Sequence, residues 1–349
     1  MRSACRTLLL SQQDVARLIG VRQVIPVVRE AFKAMARGQA VMPSKLYLPL
    51  PGGNDFRAMP AFLRRPPACG MKWVNVHPRN AERGLPTVMA VIVLNHVETG
   101  VPLAIMDGQL ITKLRTASAA AVAAETLARP DSRVVGLIGC GAQADAQVEA
   151  LTAVRPIARV NVWGHRATEA QRFCRDLRRR LPNVQCQPES TIEACVRDAD
   201  IVVTVTPSRR PLVQRRWIAP GTHINAIGAD APGKQELDHR ILQEATVVVD
   251  ERQQAIHGGE LNVPIRRRQF RAAEIHADLG QILLGRRVGR RSPQELTVFD
   301  STGLAVHDIA VAAEVFRQAR RRRVGHDVAL CSSSVRPHPP RVDDRRGLR

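Results

Sequence analysis

RVVGLIGCGAQADAQVE, residues 133–149, is the stretch whose reading decides the fold. Val134, Val135, Leu137 and Ile138 make a short apolar run with the β-branched character of a strand buried on both faces. Gly139-Cys140-Gly141-Ala142-Gln143-Ala144 follows as a G-x-G-x-x-A turn. In such a turn the first glycine permits the bend, the second lets a pyrophosphate approach the backbone, and the alanine lets helix pack on strand. Ala146, Val148 and Leu151 then recur at helical spacing, so free N–H groups and the positive end of a helix dipole face the turn. The motif alone is weak, and an ordinary strand-to-helix turn would share it. A second apolar strand, Arg159–Trp163, arrives where a βαβ unit requires one, and that context makes the stretch a dinucleotide site.

Working outward, three more segments read as strands of the same α/β unit, Ile201–Thr204, His223–Ile227 and Thr246–Val249, and Thr297–Ser301 either adds a last strand or leads back across. The segment before it reads differently. Ser11–Arg37 has helical periodicity and is expected to form two helices broken at Gly20 and Pro26. Lys45–Leu50, Phe56–Met59, Met71–Val76, Thr87–Asn95 and Val101–Asp107 are extended segments separated by turn formers such as Pro51-Gly52-Gly53-Asn54 and Glu98-Thr99-Gly100. An alanine-rich helix, Gln109–Ala128, joins the two parts, and a final helix, Val306–Arg321, is expected to return to the first. The fold class is therefore α/β: a Rossmann dinucleotide-binding domain plus an α+β substrate and dimerisation domain built from both chain ends. The expected division is 1–115, completed by 304–330, for the substrate domain and 116–303 for the Rossmann domain. The serine-, proline- and arginine-rich residues 331–349 are expected to be disordered.

Composition narrows the function classes. A chain of 349 residues can bury two domain cores. Its formal charge of +20 would fit a nucleic-acid binder, but aromatic residues are only 3%, which leaves no stacking platform, and the arginines are scattered or in short runs. A solvated arginine-rich surface is the expectation, with no nucleic-acid partner. The seven cysteines include no C-x-x-C pair and no zinc spacing, so no metal site is expected and they read as reduced thiols. No apolar run approaches a membrane span or a signal-peptide core, and the expected location is the cytoplasm.

Three charged residues carry the chemistry. Lys72 interrupts the apolar strand Met71–Val76; it either faces water or meets a partner such as a substrate carboxylate, with a lowered pKa useful for proton transfer. Arg115 sits on the alanine-lined helix, where its guanidinium is either a bidentate carboxylate clamp or half of an inter-helix ion pair. Asp230 follows the strand His223–Ile227, at an end where open α/β sheets bind ligands; it either shuttles a proton or caps the next segment. Lys45 and Arg57 belong to the extended region and would enlarge a positive pocket. Cations and one carboxylate beside a nicotinamide point to an amino or imino acid.

With those residues in hand, the chain resembles the ornithine cyclodeaminase/μ-crystallin family over roughly Leu8 to Gly325. The resemblance rests on MPSKLYL, DFRAMPAFL, MKWVNVHPRN, GLPTVMAVIVLN, ETGVPLAIMDG, LRTASAAAVAAETLAR, GLIGCGAQA, THINAIGADAPGKQELD, HGGELNV and VFDSTGLAVHD. Among its branches it looks most like the archaeal-type alanine dehydrogenases. The resemblance implies a homodimer, a carboxylate held by Lys72 and Arg115, and Asp230 as the acid/base. It also implies that Ser301, Thr302 and Gly303 lie near the nicotinamide and Thr116 and Gln143, with Gly139, Gly141 and Ala142, near the pyrophosphate. Cyclodeaminase-type members carry an arginine where Lys45 stands and a glutamate where Arg57 stands; an arginine there would repel a diamine's second nitrogen. The expected reaction is thus reversible oxidative deamination of a small L-amino acid, alanine first, or the equivalent ketimine reduction. Ornithine cyclisation is the alternative, and a non-catalytic NADP(H)-binding crystallin the remote one. The second Rossmann strand ends Val162-Trp163-Gly164-His165-Arg166 without an acid for the adenine ribose, so the expected cofactor is NAD(P), with NADP(H) favoured through Arg166.

Overall fold

The computed structural model describes residues 5–331. Its first sheet is built from β1 (Cys5–Leu10), β2 (Ala40–Val41), β3 (Leu46–Leu50), β4 (Asn54–Arg64), β5 (Pro67–Val76), β6 (Val88–Asn95) and β7 (Pro102–Asp107), closed by a strand from the far end of the chain. The second takes β8 (Val134–Ile138), β9 (Arg159–Trp163), β10 (Gln185–Pro188), β11 (Ile201–Thr204), β13 (His223–Ala226), β15 (Thr246–Val249), β16 (Ala277–Asp278) and β17 (Thr297–Asp300). Between its strands, β12 (Arg209–Val213) and β14 (Gln235–Leu237) form a separate parallel pair, and β18 (His326–Cys331) is the strand that closes the first sheet.

In the first sheet the order is β18-β1-β7-β6-β5-β4-β2, with β3 also on β4; only β1 and β7 run parallel. Strand periodicity decides what this sheet buries. Met59, Ala61 and Leu63 of β4 and Ala68, Gly70 and Val74 of β5 face inward, and the same alternation carries Arg57 and Lys72 to the covered face. That face lies under α2 (Val21–Ala36) and the C-terminal helix Ala305–Arg322, which share one apolar core with it. The opposite face exposes Leu46, Leu48, Met71 and Val91.

Every strand pair in the second sheet is parallel, in the order β10-β9-β8-β11-β13-β17-β15-β16. Its central strands are buried almost throughout because both faces are covered, and they are mainly apolar, with His223 and Asn225 of β13 the chief exceptions. Chain order reverses between β8 and β11, the crevice in which such sheets bind ligands. The α3 helix (Gln109–Leu127) joins the halves, running unbroken through the expected division at 115/116. Ala117 and Ala119–Ala124 are buried, and their small side chains let α3 lie close against α2, the helix α4 (Ala144–Thr152) and β13.

Some expectations differ in detail. Only the break at Gly20 exists, between α1 (Gln12–Leu18) and α2; Pro26 lies inside α2. One lost backbone bond and a ring clash are tolerated there because Val24, Ile25 and Val28 around it pack into the core. Cys331, placed in the tail by composition, is paired backbone to backbone with Cys5. Residues 332–349, expected to be disordered, lie outside the described residues. Among the described residues no helix is long and apolar enough to cross a membrane.

Candidate active site

Three clusters meet where β8, β11, β13 and β17 end. The first is the glycine turn. Gly139 has φ +100°, and a Cβ there would fall 2.9 Å from the Val205 carbonyl oxygen, so backbone geometry and space both require glycine. A Cβ on Gly141 would meet nothing within 4 Å, which leaves the turn open to an approaching group. The turn borders a cleft of about 770 Å³, lined also by Ala142, Trp163, His165, Arg172 and Thr206. Gln143 stands at the N-cap of α4, its amide oxygen enclosed without a hydrogen-bond partner among the described residues. The Thr116 hydroxyl is engaged within its own helix, donating to the Thr112 carbonyl at 2.7 Å. Arg166 caps the helix α5 (Ala167–Arg180) with its side chain 76% exposed, 3.7 Å from Glu169, and is not among the residues lining the cleft.

The second cluster is wholly buried. Lys72 from β5 and Arg115 from α3 converge on Asp308, in the first turn of the C-terminal helix, at 2.8 Å and 2.9 Å. Lys72 also donates to the Thr112 hydroxyl at 3.3 Å. Burial drives the Lys72 pKa down to about 7; Asp308 opposes that shift and Arg115 adds to it. Burial would raise Asp308, but Arg115 and Lys72 together hold it below the usual carboxylate range. Arg115 uses only Nε on Asp308, so its two terminal nitrogens have no hydrogen-bond partner among the described residues. They lie over Gly303, where a Cβ would fall 2.6 Å from Nη1.

The third cluster opens to water. Arg57 forks onto Asp55 at 2.9 and 3.1 Å and reaches Asp230 at 2.8 Å, and it lies 5.1 Å from the ring centre of Tyr47. Asp230 is also held by Lys234. Burial would raise the Asp230 pKa, but Lys234, Arg57 and Lys45 hold it well below its ordinary value. Lys45 donates to the Thr302 carbonyl, and burial brings it down to about 8. Lys45, Tyr47, Asp230, Gln254, His257 and Thr302 wall a cavity of about 240 Å³. Asp250, at the end of β15, accepts from the Thr302 and Gly303 backbone N–H groups at 2.7 and 2.8 Å and from the Ser301 hydroxyl at 3.4 Å, fixing the segment that touches both charge clusters.

The structure therefore brings Lys72 to Arg115 and Lys45, Arg57 and Asp230 to one another. Arg57, read from the sequence as an addition to a positive pocket, is instead neutralised by two carboxylates. Asp308, Lys234, Asp250 and Tyr47 were missed. Asp308 had a visible signal, a carboxylate between Val306 and Ile309 on an apolar helix face; Lys234 stands four residues beyond Asp230. Among the described residues no group of histidine, cysteine and acidic side chains could hold a metal ion.

The sequence profile of the ornithine cyclodeaminase/mu-crystallin family matches residues 5–323. The chain belongs to that family. An alanine dehydrogenase of Archaeoglobus fulgidus is 47% identical over 322 residues, 92% of this chain and 98% of that one. Among solved structures, an archaeal alanine dehydrogenase dimer with bound NAD superposes with a TM-score of 0.88 at 46% identity, over 93% of this chain and 99% of that one. The Delta(1)-pyrroline-2-carboxylate reductase of Thermococcus litoralis, in complex with NADH and L-proline, gives 0.90 at 33% identity over 92% and 100%. Family membership accounts for the joint between a Rossmann sheet and a sheet assembled from both chain ends.

Proposed function

We propose that this family member is an NAD(P)-dependent oxidoreductase acting at the α-carbon of a small amino or imino acid, by reversible oxidative deamination with alanine first or by reduction of the matching ketimine. The observation that carries the reading is the meeting, at Ser301–Gly303, of an unpartnered guanidinium end, a lysine lowered to about 8 and an ionised aspartate, beside the open glycine turn. The open Gly141, the left-handed Gly139 and the first turn of α4 fit a dinucleotide pyrophosphate. Bound there, a nicotinamide supplies or accepts hydride. The chain's own residues do the rest. The terminal nitrogens of Arg115 form a planar fork for the substrate carboxylate, with Lys72 behind them and Asp308 fixing both. Lys45, with a pKa near working pH, gives a proton to or takes one from the departing or arriving nitrogen. Asp230 stays ionised, so it orders the attacking water and balances a cationic imine nitrogen.

For the dinucleotide we favour NADP(H). The turn after β9, Gly164-His165-Arg166, carries no acid, and Arg166 and Arg172 are exposed and only loosely paired, with Glu169 at 3.7 Å and Asp176 at 3.9 Å, so that either side chain would be available to a 2′-phosphate, although the two related structures carry NAD and NADH. A homodimer is the proposed assembly: the archaeal relative is a dimer, and the outer face of the first sheet exposes Leu46 at 62%, Leu48 at 46% and Val91 at 45%.

A panel of 2-oxo acids with ammonia, and of cyclic imines, each with NADH and NADPH, tests the whole reading by loss of reduced-dinucleotide absorbance. Consumption with pyruvate or a five- or six-membered cyclic imine is expected, faster with NADPH. Conversion of L-ornithine with no net change in dinucleotide would replace this reading by cyclodeamination, and silence across the panel would remove it.

A further inference from the structure

The charge clusters above leave unused a second set of acids, Glu236, Glu260 and Asp300, all three fully buried. Among the described residues none of them contacts a cation; each is satisfied instead by backbone N–H groups of the next segment. Asp300 accepts from Glu260 and Leu261 at 3.0 and 3.3 Å. Glu260 accepts from Glu236 and Leu237 at 2.9 and 2.6 Å. Glu236 ends the series at the ligand crevice: one oxygen takes the Thr206 N–H and hydroxyl, both at 2.7 Å, and the other takes the Gly228 N–H at 2.9 Å.

Those last contacts join two loops with different duties. Thr206 follows β11 and lines the 770 Å³ cleft. Gly228 follows β13 and leads in two residues to Asp230. The loops touch so closely that a Cβ on Gly228 would lie 2.1 Å from the Thr206 carbonyl oxygen. A buried carboxylate without a cation is expensive, and apolar side chains would fill the same space at lower cost to folding. What the carboxylate adds is geometry, since its two oxygens tie each loop to a fixed point.

We propose that Glu236 is a positioning residue that holds the dinucleotide cleft and the Asp230 loop in one register, so that the cofactor and the water-ordering carboxylate meet the same substrate carbon. The inference rests on the reading of Asp230 given above. It predicts a pattern of effects that loss of folding would not produce.

Glu236→Gln keeps the shape but turns an NH₂ toward one of the two N–H donors. In the full-length protein it is expected to lower kcat at least about tenfold, since a displacement of about 1 Å can cost about a hundredfold. The dissociation constant of NADPH or NADH, read by dinucleotide fluorescence without substrate, should rise at least about threefold. KM for the amino acid should stay within about twofold, because Arg115 and Lys72 lie on other elements. A folded Glu236→Gln protein with wild-type kcat and dinucleotide affinity would overturn the proposal, as would equal losses in kcat and in amino-acid binding. Should that variant fail to fold, Thr206→Val keeps the γ-methyl beside Gly139 and replaces only the hydroxyl that donates to the same oxygen; weaker dinucleotide binding supports the proposal and unchanged binding overturns it. The affinity readout needs no substrate, so an error in the assigned reaction would show as a silent substrate panel while this measurement still decides the role of Glu236.

Discussion

The two charge clusters on either side of Ser301–Gly303 use the same chemistry to opposite ends. Around Asp308 every side chain is sealed: Lys72 is 1% exposed, Arg115 7% and Asp308 0%. Around Asp230 the side chain is 33% exposed and its partner Lys234 19%. With Lys72 protonated, two cations share one acid in the first cluster, which leaves a net positive charge that a substrate carboxylate can complete. In the second, Asp55 and Asp230 face Arg57, Lys234 and Lys45, and the group nearest working pH is a lysine at the rim. Burial makes a rigid cluster that recognises charge; partial exposure makes one that exchanges protons with water.

The largest way to break that contrast is Asp308→Asn. It leaves two buried cations without their counter-charge, and removing one partner of such a cluster costs about 3–5 kcal/mol. Denaturant unfolding should show that loss. Because Asp308 is the group raising Lys72, the lysine should also lose its proton more readily and the carboxylate site its charge. Stability within about 1 kcal/mol of wild type would mean that the sealed cluster does not depend on its acid.

Asp230→Asn acts on the open cluster and should spare folding. Losing the charge that orders the attacking water and balances the imine should lower the rate by about a hundredfold, the order that misplacing a reacting group can cost, and dinucleotide binding should be retained. The pH dependence gives a sharper sign. In the reductive direction Lys45 is the proton donor and must hold its proton, so the wild-type rate measured that way should fall as pH rises through about 8. Asp230 raises Lys45, so without it the lysine titrates lower, and the alkaline limb of the residual rate should move to lower pH. A limb that stays put would take Lys45 out of proton transfer. No acid limb is expected from Asp230 in the wild type, since its carboxyl is held below its ordinary range.

How far this could be read from the sequence follows from where each signal resides. The glycine turn announced itself because strand, turn and helix are contiguous, and β9, β11, β13 and β15 were legible as short, largely apolar runs, with β17 legible as one of two alternatives. β10, with Gln185 and Gln187 on an edge, and β1, with Arg6 and Thr7, carried too little apolar pattern to be seen. Lys72, Arg115 and Asp230 were legible as charges in the wrong surroundings, but their partners were not. Arg115 and Asp308 are 193 positions apart and Arg57 and Asp230 are 173 apart. Such pairings are set by packing of distant elements, which no local pattern encodes. The neutralisation of Arg57 is the instructive case: from sequence it is a free cation, and in the fold its charge is already matched.

The smallest predicted effect probes how loosely the open cluster is held. Tyr47 touches it twice, donating its hydroxyl to the Asp230 backbone carbonyl at 3.2 Å and setting its ring beneath Arg57 at 5.1 Å. Tyr47→Phe removes the first contact and keeps the second. An exposed neutral hydrogen bond contributes about 0.5–1.5 kcal/mol at most, and the Asp230 side chain remains fixed by Arg57 and Lys234, so kcat/KM should fall by less than about threefold. Tyr47→Leu removes the ring as well and forfeits about 0.5–1 kcal/mol of cation–π attraction at a part-exposed site. Its further loss should appear in kcat rather than in dinucleotide affinity, because Arg57 then holds Asp230 less firmly while the glycine turn is untouched. A Phe variant as impaired as Asp230→Asn would show that the rim is as tightly determined as the buried cluster, and the contrast between the two would fall.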